Sequence, residues 1–228
     1  MHPPSPDLAG ILAYQWSVRW AMPRGATHLI QVLPSPSVQL VVEDGQARVH
    51  GVGTAVFTRE LFGRGLIVGV GFRPAGFRPL LGSAVSTVTD RVVPAAEVLG
   101  AVPPGDLEDF VRARLPAGTD PNVALVNDIV EQITADRTVV KVDDIVRRTG
   151  VGMRTLQRLF KEYVGVSPKW VIRRYRLQEA ADRLDDPAGG RLAALAAELG
   201  YADQAHFVRD FTAVIGQPPA AYARTTRQ

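Results

Sequence analysis

Between residues 147 and 183 the chain sets ten arginines and lysines against three acids. An excess of that size suits a polyanionic partner, although a solvated helical face would carry the same charge. Spacing has to decide. Arg154, Thr155, Gln157, Arg158 and Lys161 fall on one side of a helical wheel whose other side is Leu156, Leu159, Phe160 and Tyr163. These polar types make up a major-groove reader: arginine bonds guanine, glutamine bonds adenine, and lysine neutralises phosphate. Gln204, His206 and Arg209 form a second such face, opposite Phe207, Phe211 and Val214. On a helix between the two sets, Arg173 and Arg174 are candidate contacts to a nucleic-acid backbone, whereas Arg176 fits a partly buried structural role.

Competing chemistries find little material. The chain has no cysteine, which excludes disulfides, Cys-ligated zinc, iron–sulfur clusters and thiol catalysis. His28 and His50 lie in the strand-rich part without an H-x-H pair, so no metal centre is expected. Gly69-x-Gly71 with Gly76 follows a strand, but Arg73-Pro74 does not open a phosphate-cradling helix, and no G-x-S-x-G occurs. No catalytic residue and no cofactor is expected, and the chain does not read as an enzyme. Trp16 and Trp20 are candidates to line an effector cavity, though an aromatic stripe on a strand is more often core. Arg73 is the candidate to hold an anionic effector, or else a plain surface arginine.

The elements that must position these residues can be read from periodicity. Helices over 142–149 and 153–164, separated by Gly150-Val151-Gly152, make a helix-turn-helix over 142–164. The same grammar recurs over 192–215, where Gly200 ends one helix and Asp203 caps the next. Each copy finishes on a glycine C-cap and a proline, Gly165-Val166-Ser167-Pro168 and Gly216-Gln217-Pro218-Pro219. A random helical bundle has no reason to repeat that order. Between the copies a linker helix over 168–184, capped by Ser167, makes a rod of about 26 Å. Successive major grooves on one face of DNA lie about 34–36 Å apart, so engaging both requires some bending.

Upstream, period-2 alternation dominates. Residues 16–22, 28–33, 38–43, 46–52, 54–58 and 66–72 read as strands, with Asp44-Gly45 closing a type I′ hairpin. This is a β-barrel or sandwich, so the chain as a whole is α+β. Short helices follow from Pro94, a longer one starts at Pro121, and the loop 115–120 is the expected boundary between domains 1–118 and 119–228. Residues 1–136 carry a net −3 and residues 137–228 a net +6, so the basic charge belongs to the second part. Apolar residues at 46% and charged residues at 21% are globular values, and no apolar run is long enough for a membrane span. No basic stretch precedes residues 8–12, so a cytoplasmic protein is expected.

Residues 138–224 resemble the DNA-binding domain of the AraC/XylS family of bacterial transcription regulators. The run V-D-D-I-V-R-R-T-G-V-G-M-R-T-L-Q-R-L-F-K-E-Y-V-G-V-S-P follows the family's first unit. Arg176-Leu177 with Ala180 stands at its linker-helix motif. Gly200-Tyr201, Asp203, Phe207-x-Arg209-x-Phe211 and Gly216-x-x-Pro219 stand at its second-unit signature. Gly152, Ala205 and Thr212 depart from it, where a capping serine, a small hydroxyl residue and a base are common. The segments G-V-G-F-R-P-A-G-F and T-D-R-V-V-P resemble cupin-like β domains placed ahead of this domain in some members. The resemblance implies double-stranded DNA as partner and a sensor or dimerisation role for the β domain, with a small-molecule effector, a homodimer and RNA polymerase as further partners. The rival reading is a metabolite-binding or enzymatic β domain fused to a DNA anchor. Its alkyl-transfer form would need the cysteine that this chain lacks.

Overall fold

The computed structural model describes residues 1–225 apart from Pro104, Thr119 and residues 186–191. Six strands come first, β1 (Leu12–Ala21), β2 (Thr27–Val32), β3 (Gln39–Glu43), β4 (Gln46–His50), β5 (Phe57–Phe62) and β6 (Arg64–Phe72), and β7 (Val92–Pro94) follows the first short helix. Five form an antiparallel sheet in the order β1-β6-β3-β4-β7, and β2 pairs with β5 in a separate ribbon. The β3–β4 hairpin closes as its sequence demands, with Asp44 and Gly45 both at positive φ, 48° and 74°.

Alternation gives the sheet two different faces. One buries Leu40, Val49, Val70 and Phe72. On the other, Tyr14, Trp16 and Trp20 of β1 stand opposite Gly71, Gly69 and Gly65 of β6. A Cβ at Gly65 would lie 2.1 Å from the Trp20 ring and one at Gly69 2.8 Å from the Trp16 ring, so the glycines are the space the aromatic rings fill. The β2–β5 ribbon lies against this face through the Arg59–Glu43 ion pair, a Trp20 Nε1 bond to the Phe62 carbonyl at 3.0 Å and the His50–Phe57 ring contact. The result is two layers that do not close into a barrel. β5 begins later than alternation predicts because residues just before it turn away from the sheet, where Thr54 N and Oγ1 donate to the Asp90 carboxylate at 2.6 and 3.0 Å.

Helices α1 (Arg78–Leu81), α2 (Ala95–Val98) and α3 (Leu107–Arg114) cover the sheet, followed by α4 (Pro121–Ala135). Then come α5 (Val142–Thr149), α6 (Met153–Leu159), α7 (Pro168–Asp185), α8 (Leu192–Glu198), α9 (Gln204–Ile215) and α10 (Pro219–Thr225). α4 starts where Pro121 predicts, with Asp120 accepting from Asn122 N at 2.9 Å. One apolar core runs from the sheet through Val126, Ile129 and Ile133 of α4 to Ile145, Leu156 and Phe160. It therefore crosses the loop 115–120. The buried Asn127 of α4 pins that crossing, accepting from Ala75 N at 3.0 Å and donating to the Gly10 carbonyl at 3.1 Å. A second, smaller core gathers Leu177, Leu195, Leu199, Phe207, Phe211 and Val214.

Candidate nucleic-acid interface

α5 and α6 form the first helix-turn-helix. Asp144 accepts from Val140 N and Lys141 N at 3.1 and 2.8 Å to start α5, and Gly150 at φ 69° ends it. Ile145 of α5 and Leu156 are fully buried and Leu159 almost so, and the two leucines fix the rotation of α6 about its axis. The face left to solvent is Arg154, Thr155, Gln157, Arg158 and Lys161, all five exposed. None makes a side-chain hydrogen bond or ion pair with another described residue. The cations just upstream are engaged: Arg147 pairs with Asp144, and Arg148 pairs with Asp136, whose carboxyl is held at about 2 by Thr138 and Arg148. Past Leu159 the helix widens into a π turn over Phe160–Val164, closed by Gly165 N to the Phe160 carbonyl at 2.8 Å.

Glu162 and Tyr163 of that turn face the rest of the protein. Arg78 pairs with Glu162 at 2.7 Å, and Tyr163 donates to the Asp120 carboxylate at 2.6 Å while accepting from Asn122 at 3.1 Å. Burial pushes the Asp120 carboxyl up, but the hydrogen bonds from Tyr163 and Asn122, with Arg78 nearby, outweigh it and hold Asp120 below its ordinary value.

The second unit is α8 and α9, with Asp203 accepting from His206 N at 2.7 Å as the cap its sequence predicts. Gln204, His206 and Arg209 are exposed on α9. His206 is not free: its Nε2 lies 3.4 Å from Asp210 Oδ2, and its ring meets Tyr201 edge-on at 5.1 Å. Burial, with Asp210 beside it, pushes the Tyr201 hydroxyl up. Asp210 also receives Arg173 from α7 at 3.2 Å. The sequence reading did not single out Asp210, although its i, i+4 spacing from His206 was the available signal.

The α7 arginines all make contacts within the protein. Arg174 donates its Nε to the Pro34 carbonyl, inside the protein, and Arg173 is taken by Asp210. Arg176 is 3% exposed, bonded to Glu179 and the Ile133 carbonyl, the structural role its position suggested. The three effector candidates do not converge. Trp16 and Trp20 lie over glycines, Trp16 with its Nε1 on Gln39 at 2.9 Å. Arg73 reaches Glu131 at 3.2 Å from the far end of β6, about 26 Å along the strand from Gly65 at roughly 3.3 Å per residue. Trp20 alone borders a shallow surface depression, with Arg19, Arg64 and Leu66. Among the described residues no cluster of His, Asp or Glu could hold a metal, and no helix is long and apolar enough to cross a membrane.

Two family models match this architecture: a helix-turn-helix domain over residues 145–225 and a domain of unknown function over residues 1–94. A probable transcription factor of Proteus vulgaris, PqrA, is 31% identical over 101 residues, which are 43% of this chain and 82% of that protein. A probable AraC family transcriptional regulator from Rhodopseudomonas palustris is similar at 26% identity, with 46% of this chain and 99% of that one covered and a TM-score of 0.41. ToxT from Vibrio cholerae aligns over 92% of this chain and 97% of its own, at 12% identity and a TM-score of 0.41. With two helix-turn-helix units, the family's duplicated signature and a transcription factor matched over most of its length, the chain belongs to the AraC/XylS family of DNA-binding transcription regulators.

Proposed function

We propose that this regulator reads a specific DNA site with α6 and α9 in two successive major grooves, and that residues 1–118 carry its regulation. The observation that carries the reading is the exposed, unengaged face of α6: Arg154, Thr155, Gln157, Arg158 and Lys161 project from a helix whose other side is buried. Arg147 and Arg148 just upstream are paired with acids, whereas this face keeps three cations available to a polyanion. Gln204, Arg209 and His206 are the corresponding contacts of the second head. Arg173 and Arg174 each give one donor within the protein, to Asp210 and to the Pro34 carbonyl, and in this reading they act on the placement of the helices.

α7 has eighteen residues and spans about 27 Å, so the DNA curves to bring both heads into its grooves. The division into 1–118 and 119–228 is functional in this reading: regulation in the first, base contacts in the second. An effector, or self-association through residues 1–118, would act by favouring one arrangement of the heads over another. DNA and RNA polymerase are the partners of the C-terminal part, and no catalytic step is assigned. Selection of bound DNA from a random pool by the full chain, followed by gel-shift titration of Arg154→Ala and Arg158→Ala on the winning site, tests the reading. Loss of affinity with relaxed preference at separate base positions supports it; unchanged binding in both variants removes α6 from the interface.

A further inference from the structure

The two helix-turn-helix copies end on the same punctuation, and the β domain touches both ends. Gly165, past the turn that extends α6, and Gly216, past α9, are glycine C-caps at φ 90°. At the first, Thr89 donates its hydroxyl to the Gly165 carbonyl at 2.8 Å. A methyl on Gly165 would fall 2.7 Å from Thr89 Oγ1 and 3.1 Å from Val85 Cγ1. At the second, a methyl on Gly216 would come within 3.3 Å of Val56 Cγ2. The loop after β2 extends the second grip. Leu33 packs on the core of Leu177, Phe207 and Phe211, and the Pro34 carbonyl accepts from Arg174.

Two equivalent points of a repeated motif are thus held by one body. Each point lies at the C-terminal end of its reading helix, away from the N-terminal residues that enter a groove. A rigid body that holds both points fixes the vector between the helices. The arginine in the second grip is built for position rather than for stability. Its Nη1 is buried without a partner, and burial pushes its guanidinium below its ordinary value. Desolvating a cation for one carbonyl and the Tyr175 ring 5.6 Å away gives little net stability, but it does fix where α7 lies against the loop.

We propose that the β domain is a spacing gauge for the two reading heads, gripping the C-cap of α6 through Val85 and Thr89 and that of α9 through Val56 and Leu33, with Arg174 as its positioning residue. The proposal rests on the two-groove reading for its consequence on DNA, but not for its geometry. It makes specificity for the distance between half-sites a property of residues 1–118, which touch no base.

The absence of cysteine allows a direct test on the full chain. Spin labels on Thr155→Cys and Ala205→Cys report the separation of α6 and α9 by electron–electron resonance without DNA. A single narrow distance is expected, broadening or splitting when Arg174→Met or Leu33→Ser is added with helix content unchanged. A distribution unaltered by both changes overturns the gauge. On DNA, unlabelled protein is titrated on the selected site and on the same site with one base pair added between half-sites. The gauge predicts that Arg174→Met reduces the preference between them several-fold at an unchanged salt slope. Equal loss on both sites, with the slope lower by about one, would make Arg174 a phosphate contact and overturn it. A full chain with no preference between the sites removes the two-groove reading, and the distance measurement still decides the gauge.

Discussion

The first helix-turn-helix shares its core with the β domain: Ile145, Leu156 and Phe160 belong to the same apolar cluster as Leu40, Val70 and Phe72. The second keeps a small core of its own, around Phe207 and Phe211, which Leu33 joins from the β domain. The two units repeat one grammar, yet their settings differ. To the β domain the first is bound by Arg78–Glu162 and Thr89–Gly165 besides its core, the second by Leu33, the close approach of Val56 and the bond from Arg174 to Pro34. A duplicated motif can therefore be held by many contacts at one copy and by few at the other, the difference coming from what surrounds each copy.

The sharpest way to break this comparison is to empty each core. Phe160 and Phe211 are both fully buried, and truncating a buried phenylalanine to alanine costs about 3–5 kcal/mol. Phe160→Ala should lower the unfolding transition seen by Trp16, Trp20 and Trp170, all of which lie outside the second core. Phe211→Ala should leave that transition in place while raising hydrogen exchange in residues 192–225. Equal movement of the tryptophan transition in both variants would mean that the molecule has one cooperative core.

The next effect is on binding. Arg154→Ala or Arg158→Ala should each weaken the selected site by about 1–3 kcal/mol, and Arg209→Ala likewise, because one body holds both heads in place before docking. Gel shifts in which Arg209→Ala binds as tightly as the unaltered chain would remove the second head from the interface. A smaller effect is expected at the junction. Tyr163→Phe removes the hydroxyl bonded to Asp120, worth about 0.5–1.5 kcal/mol at neutral pH. Because Asp120 is held below its ordinary value when folded, this stabilisation is present above about pH 4 and fades as pH falls through the folded value. Denaturant unfolding of both proteins at pH 7 and pH 3 should show the gap narrowing on acidification, and a constant gap would detach Tyr163 from the carboxylate. The smallest change is at the exposed Arg183–Glu198 pair between α7 and α8, where Glu198→Gln should shift stability by less than about 1 kcal/mol. A larger melting shift would show that surface pairing secures the second unit.

Local signals explain why the helical half was legible in sequence. Asp203, Ser167 and Gly150 mark helix ends by short-range bonds, so both units and the linker helix emerge within a residue or two of their bounds. The exposed faces followed from the same periodicity. What sequence could not give was anything set by distant contact. Arg174 looks like any surface arginine of a linker helix until Pro34, 140 residues away, is placed beside it. Trp16 and Trp20 show only as an aromatic stripe until β6 supplies Gly69 and Gly65 opposite them. Nor does the loop 115–120, a sound boundary by composition, disclose that Asn127 reaches back across it to Ala75 and Gly10.

The most direct test of the central claim is dimethyl sulfate protection of guanine N7 on the selected site, read with the full chain at saturation. The account predicts two protected major-groove clusters centred about 10–10.5 base pairs apart, with one chain per site, and loss of only one cluster in Arg154→Ala with Arg158→Ala combined. A single cluster at saturation, or two clusters that both survive that double substitution, would contradict it.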